Sequence, residues 1–127
     1  MRAKVLTILI VLGLLTALCT AEQIGVKTIT GEALEQARDI IALVREGRLE
    51  TAQQQAQTLD KAWDKRASLL ELVVDHKSTD DVRFAFSRLI AALDGNDREA
   101  ALIYAAELEG GIEHVAERQA FLPENIL

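Results

Sequence analysis

Residues 30–56, TGEALEQARDIIALVREGRLETAQQQA, are the stretch that decides the fold. Its first apolar positions recur every three or four residues, at Leu34, Ala37, Ile41 and Val44. This spacing predicts an amphipathic α-helix over 31–46. We expect Thr30 to cap the start of this helix, and Gly47 to end it in the left-handed conformation. Because a second helical pattern begins at Leu49, the stretch indicates an all-α protein.

Helical spacing continues through the rest of the chain. The predicted apolar positions are Ala52, Ala56, Leu59, Trp63, Leu70 and Val73 on the second helix, Val82, Phe86, Leu89 and Leu93 on the third, and Ala101, Ala105, Leu108, Ile112 and Val115 on the fourth. Short connections favour antiparallel neighbours. The sequence therefore predicts an antiparallel up-down-up-down four-helix bundle over residues 30–122, followed by an extended C-terminal tail over 123–127.

Polar and glycine residues mark the expected helix ends. Ser78 or Thr79 is expected to cap the third helix, with Asp80 and Asp81 in its first turn, where carboxylates meet the positive end of the helix dipole. In the turn DGND at 94–97, Gly95 is expected to close the third helix, and Asn96 or Asp97 to cap the fourth. Gly110 and Gly111 interrupt the fourth pattern, which predicts a bend or a close helix crossing.

The chain begins MRAKVLTILIVLGLLTALCTAEQ, a short basic start followed by an uncharged apolar run over residues 5–21. The run is longer than a usual cleaved signal and just long enough to span a bilayer. Residues 1–21 are therefore a membrane anchor or a signal peptide. We favour the uncleaved anchor; the alternative is a secreted protein cleaved near Ala21. Residues 22–29 lack a sustained period and are expected to be a tether.

Charge places the remainder on the outer side of the membrane. Arg2 and Lys4 precede the apolar run, and by the positive-inside rule they stay in the cytoplasm. Beyond residue 21 stand 12 basic and 20 acidic residues, a formal charge of −8. This acidity argues against nucleic acid as a partner. The only cysteine, Cys19, lies within the apolar run, after Leu18, where a lipidation signal would want a smaller residue.

Several residues in a fixed order resemble a known family. They are Trp63, the pair Asp75 and His76, Asp80, Arg88 with Leu89, Ala101, Glu107 with Leu108, and Asn125, Ile126 and Leu127. Over roughly residues 30–127 this order resembles the small bacterial proteins of the domain of unknown function 4363 family, found mainly in clostridia and related Gram-positive bacteria. The resemblance implies a membrane-associated helical protein with no assigned activity. Gly110 and Gly111 depart from the pattern.

Two histidines are candidate metal ligands. His76 stands near Asp75, Asp80 and Asp81, so an imidazole and three carboxylates fall at one predicted helix end and turn. Carboxylates at the start of a helix and His76 at the end of the preceding one are also the charges that helix dipoles favour, and we prefer that capping role. For His114, we expect a surface ion pair with Glu117 or Arg118, and a zinc site shared with His76 is the less favoured alternative.

The sequence contains no nucleophile elbow, phosphate loop or paired cysteine motif, so we expect no enzymatic activity and no cofactor. Trp63 is expected to pack in the core, with an exposed binding anchor as the alternative, and Tyr104, Phe84 and Phe86 are expected in or near the core. We expect a membrane-anchored extracytoplasmic helical module that binds another protein or itself; the alternative is an exported small-ligand or metal-binding module using His76. Candidate partner surfaces are the Ala-rich residues 100–106 and the tail FLPENIL. The interaction hypothesis predicts exposed apolar side chains such as Phe84 and Ile103.

Overall fold

A computed structural model describes the backbone of residues 1–70 and 76–126, and the side chains of residues 1–21, 28–69 and 76–117. Every regular element in this part of the chain is an α-helix, so the predicted all-α class is confirmed. The helices are α1 (Arg2–Arg45), α2 (Leu49–Leu70), α3 (His76–Asp94) and α4 (Arg98–Ile126).

The predicted apolar stripes form one core. Leu70 and Val73 lie outside the described side chains, and Leu34 and Leu49 are half-buried. The core side chains with the largest volumes that are fully buried are Trp63, Phe86, Ile40, Leu89, Leu108, Ile112, Val44, Val82 and Val115. Burying a large apolar side chain contributes roughly 1.5–3 kcal/mol. Burial of these apolar stripes is therefore the main source of the folded domain's stability.

Each helix packs against two others. α1 contacts α2 and α4, and α3 contacts α2 and α4. Exposed ion pairs cross these boundaries: Arg66 with Glu32 at 3.3 Å, Arg83 with Asp64 at 3.4 Å, Arg88 with Glu107 at 3.5 Å and Arg38 with Glu113 at 3.3 Å. Exposed pairs contribute about 0–1 kcal/mol each. They accompany the packing of the core and are not its cause.

α1 is longer than the sequence pattern predicted. It runs without a break from Arg2 to Arg45, so residues 22–29, which were expected to be a tether, are helical. Thr30 does not cap a helix: it lies inside α1, and its side chain is buried. Residues 22–29 contain no proline and one glycine, so nothing in them stops a helix that apolar residues favour on both sides.

The start of α3 also differs from the expectation. The described part of the helix runs from His76, and both Ser78 and Thr79 are buried within it, so neither is the N-cap. The Thr79 hydroxyl donates a hydrogen bond to the His76 carbonyl oxygen at 3.0 Å. A hydroxyl that is hydrogen-bonded in this way is compatible with a helix interior. The polar residues of this segment had instead suggested a loop and a helix start. Asp80 and Asp81 consequently lie beyond the first turn.

Two turns of the same type end α1 and α3. At the first, Gly47 has the positive φ of 78° that was predicted, and the Arg48 N–H donates to the Leu43 carbonyl at 2.9 Å. At the second, the left-handed residue is Asn96, with φ 55°, and not Gly95. Asparagine tolerates this conformation better than most residues with a side chain.

Asp97 caps α4. Its Oδ1 accepts a hydrogen bond from the Ala100 N–H at 3.1 Å, which confirms one of the two predicted capping residues. The Arg98 side chain reaches back to the end of α1: its Nε donates to the Val44 carbonyl oxygen at 3.1 Å, and its Nη2 donates to the Arg45 carbonyl oxygen. The first turn of α4 thus adds hydrogen bonds to carbonyl groups at the end of α1, of which that of Val44 also accepts from the Gly47 N–H.

α4 is continuous through both places where the sequence predicted a change. Gly110 and Gly111 do not interrupt it, but a Cβ added at Gly111 would lie 3.2 Å from Val82 Cγ2, so the predicted close crossing is present there, between α4 and α3. The extended tail predicted from residue 123 is wrong for 123–126, which are helical. α4 includes Pro123, although proline removes a backbone donor and its ring crowds the carbonyl group four residues earlier.

Candidate functional site

The largest exposed apolar surface lies on the first part of α1. Arg2–Ala21 is 20 residues long with a mean hydropathy of 2.2, and none of it is buried. In the described part of the chain, this is the one helix long and apolar enough to cross a membrane, by length and composition. We call it the N-terminal span. At ~1.5 Å per residue it is about 30 Å long, which equals the thickness of a hydrocarbon core.

The threonine side chains of the N-terminal span form hydrogen bonds within the helix itself. The hydroxyls of Thr7, Thr16 and Thr20 each donate to the carbonyl oxygen four residues earlier, at 2.9, 2.8 and 2.8 Å. Such a bond removes the need for water around a threonine, which matters in lipid, where an unsatisfied polar group is costly. The chemistry of the span therefore suits an apolar solvent.

Apolar side chains also project from the packed helices. Phe84 on α3 is 58% exposed, Ile103 on α4 is 60% exposed and Leu69 on α2 is 62% exposed. Phe84 follows the buried Val82 by two positions, and Ile103 follows the buried Ala101 by two, so each lies about 200° around its helix from the core-facing stripe. The exposure that the interaction hypothesis predicts for Phe84 and Ile103 is thus present, whereas the expectation that Phe84 packs in or near the core is wrong.

The Ala-rich residues 100–106 have a different role from the one expected. Ala101 and Ala105 are buried in the chain's own core, with 0% and 1% exposure. Their small side chains allow α4 to approach its neighbours within the fold, so they are not available to a partner. In this segment the exposed side chains are those of Ile103 and Ala106.

The residues proposed as a metal site do not come together. His76 is exposed and helical, at the first described residue of α3, whereas Asp75 lies outside the described residues. The Asp80 carboxylate lies 3.8 Å from the Arg83 guanidinium, so it has a cationic partner of its own. His114 is exposed on α4. Among the described residues, no three His, Cys, Asp or Glu side chains are grouped so that they could hold a metal ion.

Residues in the ordered pattern that resembled a family lie at contacts between helices. Leu89 and Leu108 are fully buried, and beside them Arg88 Nη1 lies 3.5 Å from Glu107 Oε2, joining α3 to α4. Trp63 is 1% exposed, in the core as expected, and its indole N–H has no hydrogen-bond partner among the described residues. Asn125 lies in α4, but its side chain is outside the described part.

Comparison with known families matches residues 23–126 to the model of a domain of unknown function, DUF4363. The chain belongs to the DUF4363 family. The match covers the part of α1 beyond the N-terminal span and all of α2, α3 and α4. No curated protein and no solved structure is similar enough to this DUF4363 chain to count as a match. Membership therefore carries no activity to the chain.

The DUF4363 domain has one charged cluster that sequence reasoning missed. It joins Asp60 and Asp64 on α2 to Arg83 on α3, whose Nε lies 3.4 Å from Asp64 Oδ1. Partial burial raises the pKa of the Asp60 carboxyl above its ordinary 3.8, the charge of Asp64 raises it further, and Arg83 opposes both. The four-residue spacing of the two aspartates was visible in the sequence, but the arginine that faces them comes from another helix.

Proposed function

We propose that this DUF4363 chain is an uncleaved, single-pass membrane protein of the cell membrane whose helical domain lies outside the cytoplasm and works by binding a protein partner or a second copy of itself. The observation that carries the proposal is the division of α1 into two parts. Its first 20 residues are apolar and exposed, whereas the residues from Thr30 to Val44 that face the other helices are buried. One continuous helix thus belongs to two environments.

The orientation rests on the charges that flank the N-terminal span. Arg2 and Lys4 precede it, and basic residues are retained on the cytoplasmic side. The alternative, cleavage near Ala21 followed by secretion, requires a protease to act in the middle of α1. The length of the N-terminal span, 20 residues against the roughly 7–15 apolar residues usual for a cleaved signal, supports the anchored form.

We further propose that the domain is an antiparallel up-down-up-down four-helix bundle. Contacts between neighbouring helices support this topology because residue numbers rise on one helix as they fall on the next. On α2 and α3, Gln53 contacts Asp94, whereas Asp64 contacts Arg83. Helices joined by short turns are expected to pack in this way.

The interaction role is supported by the outward apolar side chains of α3 and α4. Phe84 and Ile103 face away from the core, so their apolar side chains do not contribute to the packing of the domain itself. Burying a side chain of this size against a partner contributes roughly 1.5–3 kcal/mol. We propose no catalytic role for the domain.

Anchoring is tested on the full chain expressed in a bacterial host. We expect the protein to stay in the membrane after alkaline extraction, to be released by detergent, and to have a mass that includes residue 1. A product that begins at Glu22 and leaves with the soluble fraction would overturn the anchored form.

Sidedness is tested with one added cysteine. In a Cys19→Ala background, Ala91→Cys supplies an exposed thiol on α3. A membrane-impermeant maleimide should label it in intact cells with the outer envelope made permeable. Labelling only after the cell membrane is broken would place the domain in the cytoplasm.

The interaction role is tested by Phe84→Ser and Ile103→Ser, with the exposed Ser87→Ala on α3 as the matched control. Self-association is measured by sedimentation in detergent, and a hetero-partner by capture from native membranes with identification by mass. Loss of one buried apolar anchor should weaken binding about tenfold or more. Stability should change by less than about 0.5 kcal/mol. Variants that bind as well as the control would refute this surface.

A further inference from the structure

We propose that the C-terminal turn of α4 lies in the headgroup layer of the same bilayer that α1 crosses, so that the lipid surface is a second binding partner of the domain. The inference rests on the anchored form proposed above. The contacts between α1 and α4 indicate where the end of α4 lies relative to the N-terminal span.

The N-terminal span supplies the reference level. Arg2–Ala21 equals the hydrocarbon core in length, so Ala21 lies at the edge of the hydrocarbon. The headgroup region extends roughly 5–8 Å further on each side. Since α1 continues as one helix through Arg45, positions along it measure height above the membrane.

α4 runs beside α1 in the opposite direction. At one end of the pair, Arg98 donates to the Val44 carbonyl oxygen; nearer the span, Arg38 Nη2 lies 3.3 Å from Glu113 Oε1. Val115 is still fully buried, so α4 remains packed in the core beyond Glu113. The C-terminal part of α4 therefore points toward the membrane.

Helical rise converts these contacts into heights. Arg38 lies about 26 Å above Ala21 along α1 at ~1.5 Å per residue. From Glu113 to its last residue, Ile126, α4 descends about 20 Å at the same rise. The helix thus ends roughly 6 Å above the hydrocarbon edge, within the headgroup layer.

The sequence of this end is compatible with that location. The last six residues of α4, 121–126 with sequence FLPENI, contain one charged residue, Glu124, and three apolar ones, Phe121, Leu122 and Ile126. Apolar and aromatic residues are favoured at a membrane interface. By comparison Leu69, near the end of α2, lies higher: the contact of Arg66 with Glu32 puts it about 12 Å above Ala21.

The test measures depth in vesicles of zwitterionic phosphatidylcholine that contain the full chain. In the Cys19→Ala background, single cysteines at Ile126, Leu69, Ala91 and Leu9 carry an environment-sensitive fluorophore. A lipid with a nitroxide on its headgroup quenches labels in that layer, and a lipid with a nitroxide on its acyl chain quenches labels in the hydrocarbon. Leu9 reports on the anchor, and Ala91, near the far end of α3, is the matched control for water.

We expect the headgroup nitroxide to quench the Ile126 label about threefold or more over the Ala91 label, with Leu69 between them, because the headgroup layer is only a few ångströms thick. If Leu9 is quenched by the acyl-chain nitroxide and Ile126 behaves like Ala91, the anchor stands and this inference is wrong. If Leu9 is not quenched either, the anchored form fails, and the inference fails with it.

Discussion

Replacing Gly111 by alanine tests the close approach of α4 to α3. Gly110 is the matched control, since both glycines lie inside α4 and a Cβ at Gly110 would have nothing within 4 Å. Glycine to alanine in a helix interior gains about 1 kcal/mol of propensity. Gly110→Ala should therefore stabilise the protein by about 0.5–1 kcal/mol.

At Gly111 the same gain is opposed by a clash. The added Cβ would lie 3.2 Å from Val82 Cγ2, inside the ~3.5–4.0 Å that carbon atoms prefer. Val82 is fully buried, and its branched side chain is restricted to few rotamers in a helix, so it cannot turn aside. Overpacking of this kind costs roughly 1–3 kcal/mol. We expect Gly111→Ala to be about 1–2 kcal/mol less stable than Gly110→Ala.

The assay is denaturant unfolding of the full chain in mild detergent, followed by the fluorescence of Trp63. It is the one tryptophan of the chain and is buried, so its emission reports on the core. Removing the clash by Val82→Ala should make the two glycine substitutions equal in effect, with a coupling of about 1 kcal/mol in the double-mutant cycle. If Gly111→Ala stabilises the native protein as much as Gly110→Ala does, the close approach at Val82 is wrong.

Two further predictions concern polar groups. Arg98→Ala should cost about 1–2 kcal/mol, because it removes both side-chain hydrogen bonds to the end of α1; Arg48→Ala, which loses only an exposed pair at 3.9 Å, should cost less than about 0.5 kcal/mol in the same unfolding assay, and equal losses would contradict the capping role of Arg98. Asp60→Asn should stabilise at neutral pH, because the raised pKa of Asp60 means that this residue's own contribution to native stability is greatest below the ordinary value of 3.8 and falls as pH rises through the folded-state pKa. Unfolding measured from pH 3 to 7 should show this gain shrinking as pH falls, whereas the exposed control Asp39→Asn should show no such gain; a gain independent of pH would refute the explanation.

The apolar stripes were predictable because they depend on local periodicity alone. Residues spaced by three and four lie on one face of a helix in any context, and that face must be buried somewhere. The stripe of α3 and that of α4 are accordingly buried in full. Gly47 was predictable for a similar reason, since a positive φ excludes most other residues.

Helix ends were harder to predict because several residues could satisfy the same backbone groups. Thr30, Ser78 and Thr79 are residue types typical of N-caps, but each is buried inside a helix. At the second turn both Gly95 and Asn96 were available, and asparagine adopts the left-handed conformation. Local sequence offers these options, and packing of the neighbouring helices selects among them.

The candidate sites show the same division. The N-terminal span and the exposure of Ile103 followed from the sequence, because a residue about 200° from an apolar stripe faces solvent when the stripe faces the core; Phe84, also expected in or near the core, is exposed for the same reason. Among the described residues, the alternative ligand set of His76 is not grouped into a metal site. Closeness in sequence says little about whether side chains converge, and Asp80 is paired with Arg83.

By itself, the sequence determined the all-α class, the apolar stripes, the N-terminal span and the acidic character of the rest, since each depends on composition or on the period of one helix. The tertiary structure decided that α1 is one helix from the span into the domain, that α4 meets Val82 at Gly111, and that Arg83 faces Asp60 and Asp64. These features depend on which helices become neighbours and at what register. Residues far apart in the chain meet only when the core is packed, so no local pattern encodes their contact.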